Sequence, residues 1–230
     1  MAVAWNSAPA RHLVALAALV WWITAGAALL PVLNWSRPGV VTTVGGSLLL
    51  GAGLVLSSRG PESLRALGLT LSNYGAFAFA IASAAMIVGT MGLAPRSFPA
   101  WVPWSGVAGM ALALAAVLAR RAGPALVALS IGLILAVGAG WAPPRAGEEP
   151  YLAYALALTA MLCLTLSGIL DEVRARTVAG WLGLGLTIAA VTWIVEGSLL
   201  NRAVFLGLAG AAAVGISVLL GRVVPHRSQP

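Results

Sequence analysis

Long apolar stretches separated by short polar breaks dominate the chain. Apolar runs fall at about 12–33, 38–57, 70–93, 101–119, 124–142, 151–170, 178–199 and 203–221. Each is close to the roughly 20 residues that a helix needs to cross a bilayer. The longest break, Ser58 to Leu69, has room for an amphipathic turn or two beginning at Pro61. The pattern predicts an all-α, polytopic integral membrane protein, an eight-helix transmembrane bundle with short loops. Residues 1-230 then form a single transmembrane domain. No stretch is polar enough to fold as a soluble domain, so function is expected within the bundle or on its rims.

Composition supports this reading. Apolar residues make up 60% of the chain and charged residues only 8%, against about 25% charged in soluble domains. Mean hydropathy is +0.98. Too little polar sequence remains to make the shell of a soluble fold.

Charge then orients the bundle. All thirteen basic side chains are Arg. With eight spans, one side collects Arg11, Arg59, Arg65, Arg120, Arg121, Arg174, Arg176, Arg222 and Arg227. The other collects Arg37, Arg96, Arg145 and Arg202, one per loop. Positive residues concentrate on the cytoplasmic side, so the N- and C-termini are expected to be cytoplasmic, in a multi-pass protein of the cell (inner) membrane. The net charge of +7 therefore reads as topology, and no nucleic acid partner is expected. Trp35, Trp101, Trp104 and Trp141 fall at the opposite span ends, where amphipathic rings favour the interface. Arg without Lys, with heavy use of Ala, Gly and Leu, fits a GC-rich bacterial genome. The Ala25-Gly26-Ala27 triplet has the small residues of a signal-peptide cleavage site. Its apolar run continues to Val32, so it is expected to remain as the first span.

The inventory of reactive side chains is thin. Without Lys there is no Schiff-base chemistry. His12 and His226 lie outside the spans or at their margin, so no pair of imidazoles is placed to hold a haem. Cys163 is the single cysteine and, between two leucines, is expected to be structural. Ser105 has no accompanying His base and is a poor nucleophile. No phosphate loop, nucleotide fingerprint or metal-ligand spacing occurs. No cofactor, metal or catalytic residue is therefore expected, and the chain leans away from enzymes.

Some polar groups nevertheless stand out. Glu196 is the one acid placed within a span, where ionisable groups are expensive and tend to be functional. Thr192 precedes it by one helical turn and shares its face. Glu196, Thr192 and Asn73 are the candidates for a transport or proton-sensitive role. The alternative for Glu196 is depth: it lies only ~6 Å below the span end and can reach outer water or Arg202. Asn73 is flanked by Ser72 and Tyr74, with Ser83 and Thr90 further along. Thr42, Thr43, Ser47, Tyr151, Tyr154 and Thr159 are the other polar positions. Asp171, Glu172, Arg174 and Arg176 close the sixth span. Their spacing suggests the pairs Asp171–Arg174 and Glu172–Arg176 on a solvated rim.

The first and last hairpins also look alike. Gly45 follows Arg37 by eight residues, and Gly210 follows Arg202 by eight. Small residues recur four apart at Ser47 and Gly51, and at Ala211 and Gly215. Gly45, Gly51, Gly210 and Gly215 are therefore expected at helix–helix contacts. Two functions fit these features: a small permease or channel-like protein for an uncharged or weakly charged solute, and a non-catalytic subunit or anchor of a larger membrane complex. The expected partners are the lipid bilayer and, for the second reading, other membrane subunits or further copies of the chain.

Overall fold

A computed structural model describes residues 7–29, 36–90, 101–117, 122–138 and 151–194, together with Gly207 and Gly210. Seven helices follow one another among the described residues: α1 (Ala8–Leu29), α2 (Ser36–Arg59), α3 (Glu62–Thr90), α4 (Trp101–Val117), α5 (Ala122–Gly138), α6 (Tyr151–Leu170) and α7 (Arg174–Ile194). Five of them, α1, α2, α3, α6 and α7, are long and apolar enough to cross a membrane. α4 and α5 are equally apolar and 17 residues long, about 26 Å each. The chain is thus an all-α, multi-pass membrane protein in contact with the bilayer. The run at 203–221 lies outside the described residues except for Gly207 and Gly210, both helical and exposed.

The break between α2 and α3 is far shorter than hydropathy suggests. α3 begins at Glu62, so only Gly60 and Pro61 separate the two helices. The Pro61 carbonyl accepts the N–H groups of Leu64 and Arg65 at 2.8 and 3.2 Å, which caps the new helix. Glu62 stands in the first turn, where the helix dipole favours a negative charge. A hydropathy window misses this turn because its residues are polar, although its backbone is fully helical.

α2 and α3 form an antiparallel hairpin with the most extensive packing in the bundle. Glycine recurs every seven residues at Gly39, Gly46 and Gly53 on α2, and at Gly68 and Gly75 on α3. The two rows interlock. A Cβ on Gly46 would lie against Phe79 N and the Gly75 carbonyl, and one on Gly75 against Leu50 N and the Gly46 carbonyl. Gly53 and Gly68 repeat this arrangement against Ser72 and Ser57. Each of these four glycines therefore sits over a backbone hydrogen bond of the facing helix. A seven-residue repeat keeps one seam aligned along both helices, with left-handed crossing. Close backbone approach of this kind favours Cα–H···O=C contacts between helices, worth about 0.5–1 kcal/mol each.

The other flanks of α2 take further helices. Ser47 and Gly51 meet Gly109 of α4, and the matching order along both chains makes α2 and α4 parallel. Trp22 of α1 lays its indole on Gly45 and donates Nε1–H to the Val41 carbonyl at 2.8 Å. α4 and α5 run antiparallel through Gly106 against Leu135 and Gly132 against Met110. α6 and α7 run antiparallel through Gly168 against Thr177 and Gly180 against Thr165. α5 meets α6 with its start against the other's end, Gly123 beside Asp171. These contacts make α3, α5 and α7 mutually parallel. We call the end where these three begin the near end. The apolar core runs along the axis through Leu50, Phe79, Ile131, Ile134, Met161 and Leu164, all fully buried. α1 is peripheral: only 6% of its span is buried, and Leu13 and Trp21 face outward.

Gly45 packs on Trp22 and Gly51 on α4. A Cβ on Gly210 meets nothing within 4 Å among the described residues, and the run that flanks it lies outside them. Gly215 lies outside the described residues.

One substitution should therefore have opposite effects at two sites. Gly75→Ala drives a methyl into the α2 backbone and should destabilise by roughly 1–3 kcal/mol. Gly185→Ala, on a face of α7 where nothing among the described residues lies within 4 Å, should stabilise by about 0.5–1 kcal/mol through helix propensity. Thermal unfolding of both variants in detergent checks this. Equal shifts would contradict the close approach of α2 and α3.

Candidate functional site

The polar chemistry of the near end gathers at the turn between α6 and α7. α6 stops at Leu170, and the chain reverses within three residues. Val173 N–H donates to the Gly168 carbonyl at 2.8 Å and Glu172 N–H to the Ile169 carbonyl at 3.2 Å. This is a Schellman closure, with Glu172 at the position that glycine normally fills. Its φ is 57°, the left-handed region that costs an L-residue roughly 1–2 kcal/mol. Val173 then starts the next helix, its carbonyl accepting from Arg176 N and Thr177 N, both at 3.1 Å.

The turn delivers an ion pair to the interior. Arg176 Nη1 donates to Asp171 Oδ2 at 2.7 Å, and the two side chains are only 2% and 7% exposed. This corrects the expectation of a solvated rim paired as Asp171–Arg174 and Glu172–Arg176. Three- and four-residue spacings pair side chains only along a continuous helix, and the helix ends before Asp171. Glu172 and Arg174 are exposed, while Asp171 and Arg176 fold inward. The Asp171 carboxylate also lies directly on Gly123, leaving no space there for a Cβ. Gly123 belongs to the first turn of α5, where free N–H groups and the helix dipole favour an anion. One carboxylate thereby ties together α5, α6 and α7. Outside the turn, Ile169, Glu172, Arg174 and Val178 line a shallow open cleft.

Most polar candidates inside the bundle are engaged locally. Thr43, Ser47, Ser83, Thr159 and Thr165 each donate to the carbonyl four residues back, at 2.6–2.9 Å. Thr192 bonds the Ile188 and Ala189 carbonyls at 3.0 and 2.9 Å, so its hydroxyl is satisfied by its own helix. Glu196 lies outside the described residues. Asn73 behaves differently. Its Oδ1 is buried without a partner among the described residues, as are Ser72 Oγ, Ser130 Oγ, Thr187 Oγ1 and Arg176 Nε. These five atoms distinguish the site, and sequence reasoning anticipated only Asn73 among them as a leading candidate.

A histidine contact also escaped the sequence reading. His12 Nδ1 and the Tyr74 hydroxyl are 3.2 Å apart, with the rings edge to face at 5.7 Å. The contact joins α1 to α3 close to Asn73. Among the described residues, no three His, Cys, Asp or Glu side chains converge to hold a metal ion.

Comparison with known proteins finds no matching family, no matching curated protein and no matching solved structure. The site is therefore read from its own chemistry.

Two substitutions test the turn. Glu172→Gly should stabilise by about 1 kcal/mol by removing the left-handed strain. Asp171→Asn leaves a buried guanidinium without its counter-charge and should cost about 3–5 kcal/mol. Replacing both partners, Asp171→Leu with Arg176→Met, should recover most of that loss, since a buried pair is often matched by apolar residues of similar volume. Thermal melts of the three proteins check the ordering, and a mild Asp171→Asn phenotype would speak against burial of the pair.

Proposed function

We propose that the protein is a small permease or channel-like protein for an uncharged or weakly charged solute, built as eight membrane helices with both termini in the cytoplasm. The observation that carries this reading is the set of five buried, unpartnered polar atoms. Leaving such an atom unsatisfied costs about 1–3 kcal/mol, and water or a hydrogen-bonding solute removes that cost. The atoms are spread along the bundle on α3, α5 and α7. Asn73, Ser72 and Arg176 stand toward the near end. Ser130 lies seven residues above Gly123, about 10 Å, and Thr187 eleven above Arg176, about 16 Å. A series of polar stations at successive depths suits the passage of a small polar molecule. Glu196, four residues after Thr192 in the sequence, is the ionisable group that the sequence adds to this reading.

A second reading has its own support. α1 is held to the bundle by few contacts and presents Leu13, Val20 and Trp21 outward, 57–67% exposed. Such a helix suits a subunit or anchor that packs against another membrane protein. Purification from native membranes separates the two readings: stoichiometric partners favour the subunit.

Two outcomes follow for the favoured reading. Reporter fusions after Gln229 should report the cytoplasm and an insertion at Gly147 the opposite side, as the nine-to-four Arg division requires. A shared side would end the eight-span topology. In proteoliposomes, the protein should speed small neutral solutes above the rate of empty vesicles. Glu196→Gln should keep the protein inserted and alter that rate or its pH dependence. A silent Glu196→Gln variant would remove Glu196 from the path.

A further inference from the structure

Asn73 and Arg176 carry unpaired groups of opposite kind at one depth of the bundle. Gly183 of α7 faces Ala80 of α3 closely enough that its Cβ would touch that alanine. α3 and α7 run parallel, so stepping back seven residues on each leads to Asn73 and Arg176 together, about 10 Å nearer the near end. Seven residues are almost two full turns, so each keeps the azimuth of the residue above to within about 20°. Both therefore stand on the seam between α3 and α7. Among the described residues, Asn73 Oδ1 is a buried acceptor without a partner, and Arg176 Nε–H is a buried donor without a partner.

The charge at this point is already balanced. Asp171 takes the Arg176 Nη1 donor at 2.7 Å, so an anion gains no unopposed cation there. What remains is a neutral pair of groups, one N–H and one C=O. We propose that Asn73 and Arg176 form a binding point for a small neutral solute with an acceptor and a donor on neighbouring atoms, the chemistry of urea or a simple carboxamide. The solute carbonyl accepts from Arg176 Nε–H, and its N–H donates to Asn73 Oδ1. Asp171 acts as a positioning residue, holding the guanidinium through Nη1. This proposal rests on the permease reading and names its solute class.

The test is stopped-flow light scattering on proteoliposomes holding the full chain, with urea and glycerol as probes. Urea uptake should exceed that of empty vesicles and outpace glycerol uptake through the protein. Asn73→Leu, close in volume, removes the acceptor. Arg176→Lys keeps the charge for Asp171 and removes the Nε–H. Each should lower urea uptake about tenfold, the worth of one hydrogen bond at the strong end of the neutral range, while glycerol uptake changes less than about twofold. If urea and glycerol pass and neither variant changes their ratio, this binding point is wrong and the permease reading stands. If no solute passes faster than in empty vesicles, the permease reading falls and the solute site with it. Should Arg176→Lys fail to give a monodisperse protein, Asn73→Leu alone decides.

Discussion

The bundle is organised by the direct meeting of two helix backbones. Lipid tails are as apolar as leucine, so helices in a bilayer gain little from hiding apolar side chains from them. Close packing must supply the association instead. Gly46 against Gly75 and Gly53 against Gly68 remove the side chains from between α2 and α3. The seven-residue spacing holds that approach over the whole hairpin rather than at one crossing point. α2 then has its remaining flanks free for Trp22 of α1 and Gly109 of α4, and it becomes the helix around which the first half of the chain assembles.

Polar groups are accommodated by two different devices. Hydroxyls of Thr43, Ser47, Ser83 and Thr165 bond carbonyls of their own helix, which makes them inexpensive to bury wherever the helix packs. The ion pair at the near end works across helices. Asp171 answers Arg176 and rests on the start of α5, so the α6–α7 turn is locked to a neighbour that it does not adjoin in sequence. The left-handed Glu172 is the local cost of turning the chain sharply enough to bring those groups together.

The polar atoms that neither device satisfies carry the functional argument. They lie on α3, α5 and α7, which run in the same direction. The peripheral α1 carries none of them and reaches α3 through the His12–Tyr74 contact and through Ala15 against Leu67 and Leu71. Transport and assembly thus draw on different parts of the molecule: a transport reading uses the polar seam, and an assembly reading uses the α1 face.

The apolar runs and the scarcity of charge were sufficient to determine the class of protein and the approximate helix positions. That much is local, because a bilayer imposes a length and a polarity on each span. The start of α3 was hidden by the polar residues of its first turn, which a hydropathy pattern cannot tell from a loop. The seven-residue glycine row was present in the sequence but competed with four-residue spacings among 27 glycines. Gly45 was legible there as a small residue, but its partner, Trp22 of α1, was not. Asp171 and Arg176 were visible as charges, but their partnership depended on a helix ending at Leu170 and on a turn that defeats helical spacing. Asn73 stood out as an amide within a span, whereas the burial of its Oδ1 depended on how α3 packs in the bundle. Burial and periodicity belong to single segments and can be read from them. Which face meets which neighbour is a property of the assembled bundle, and tertiary packing alone decided it.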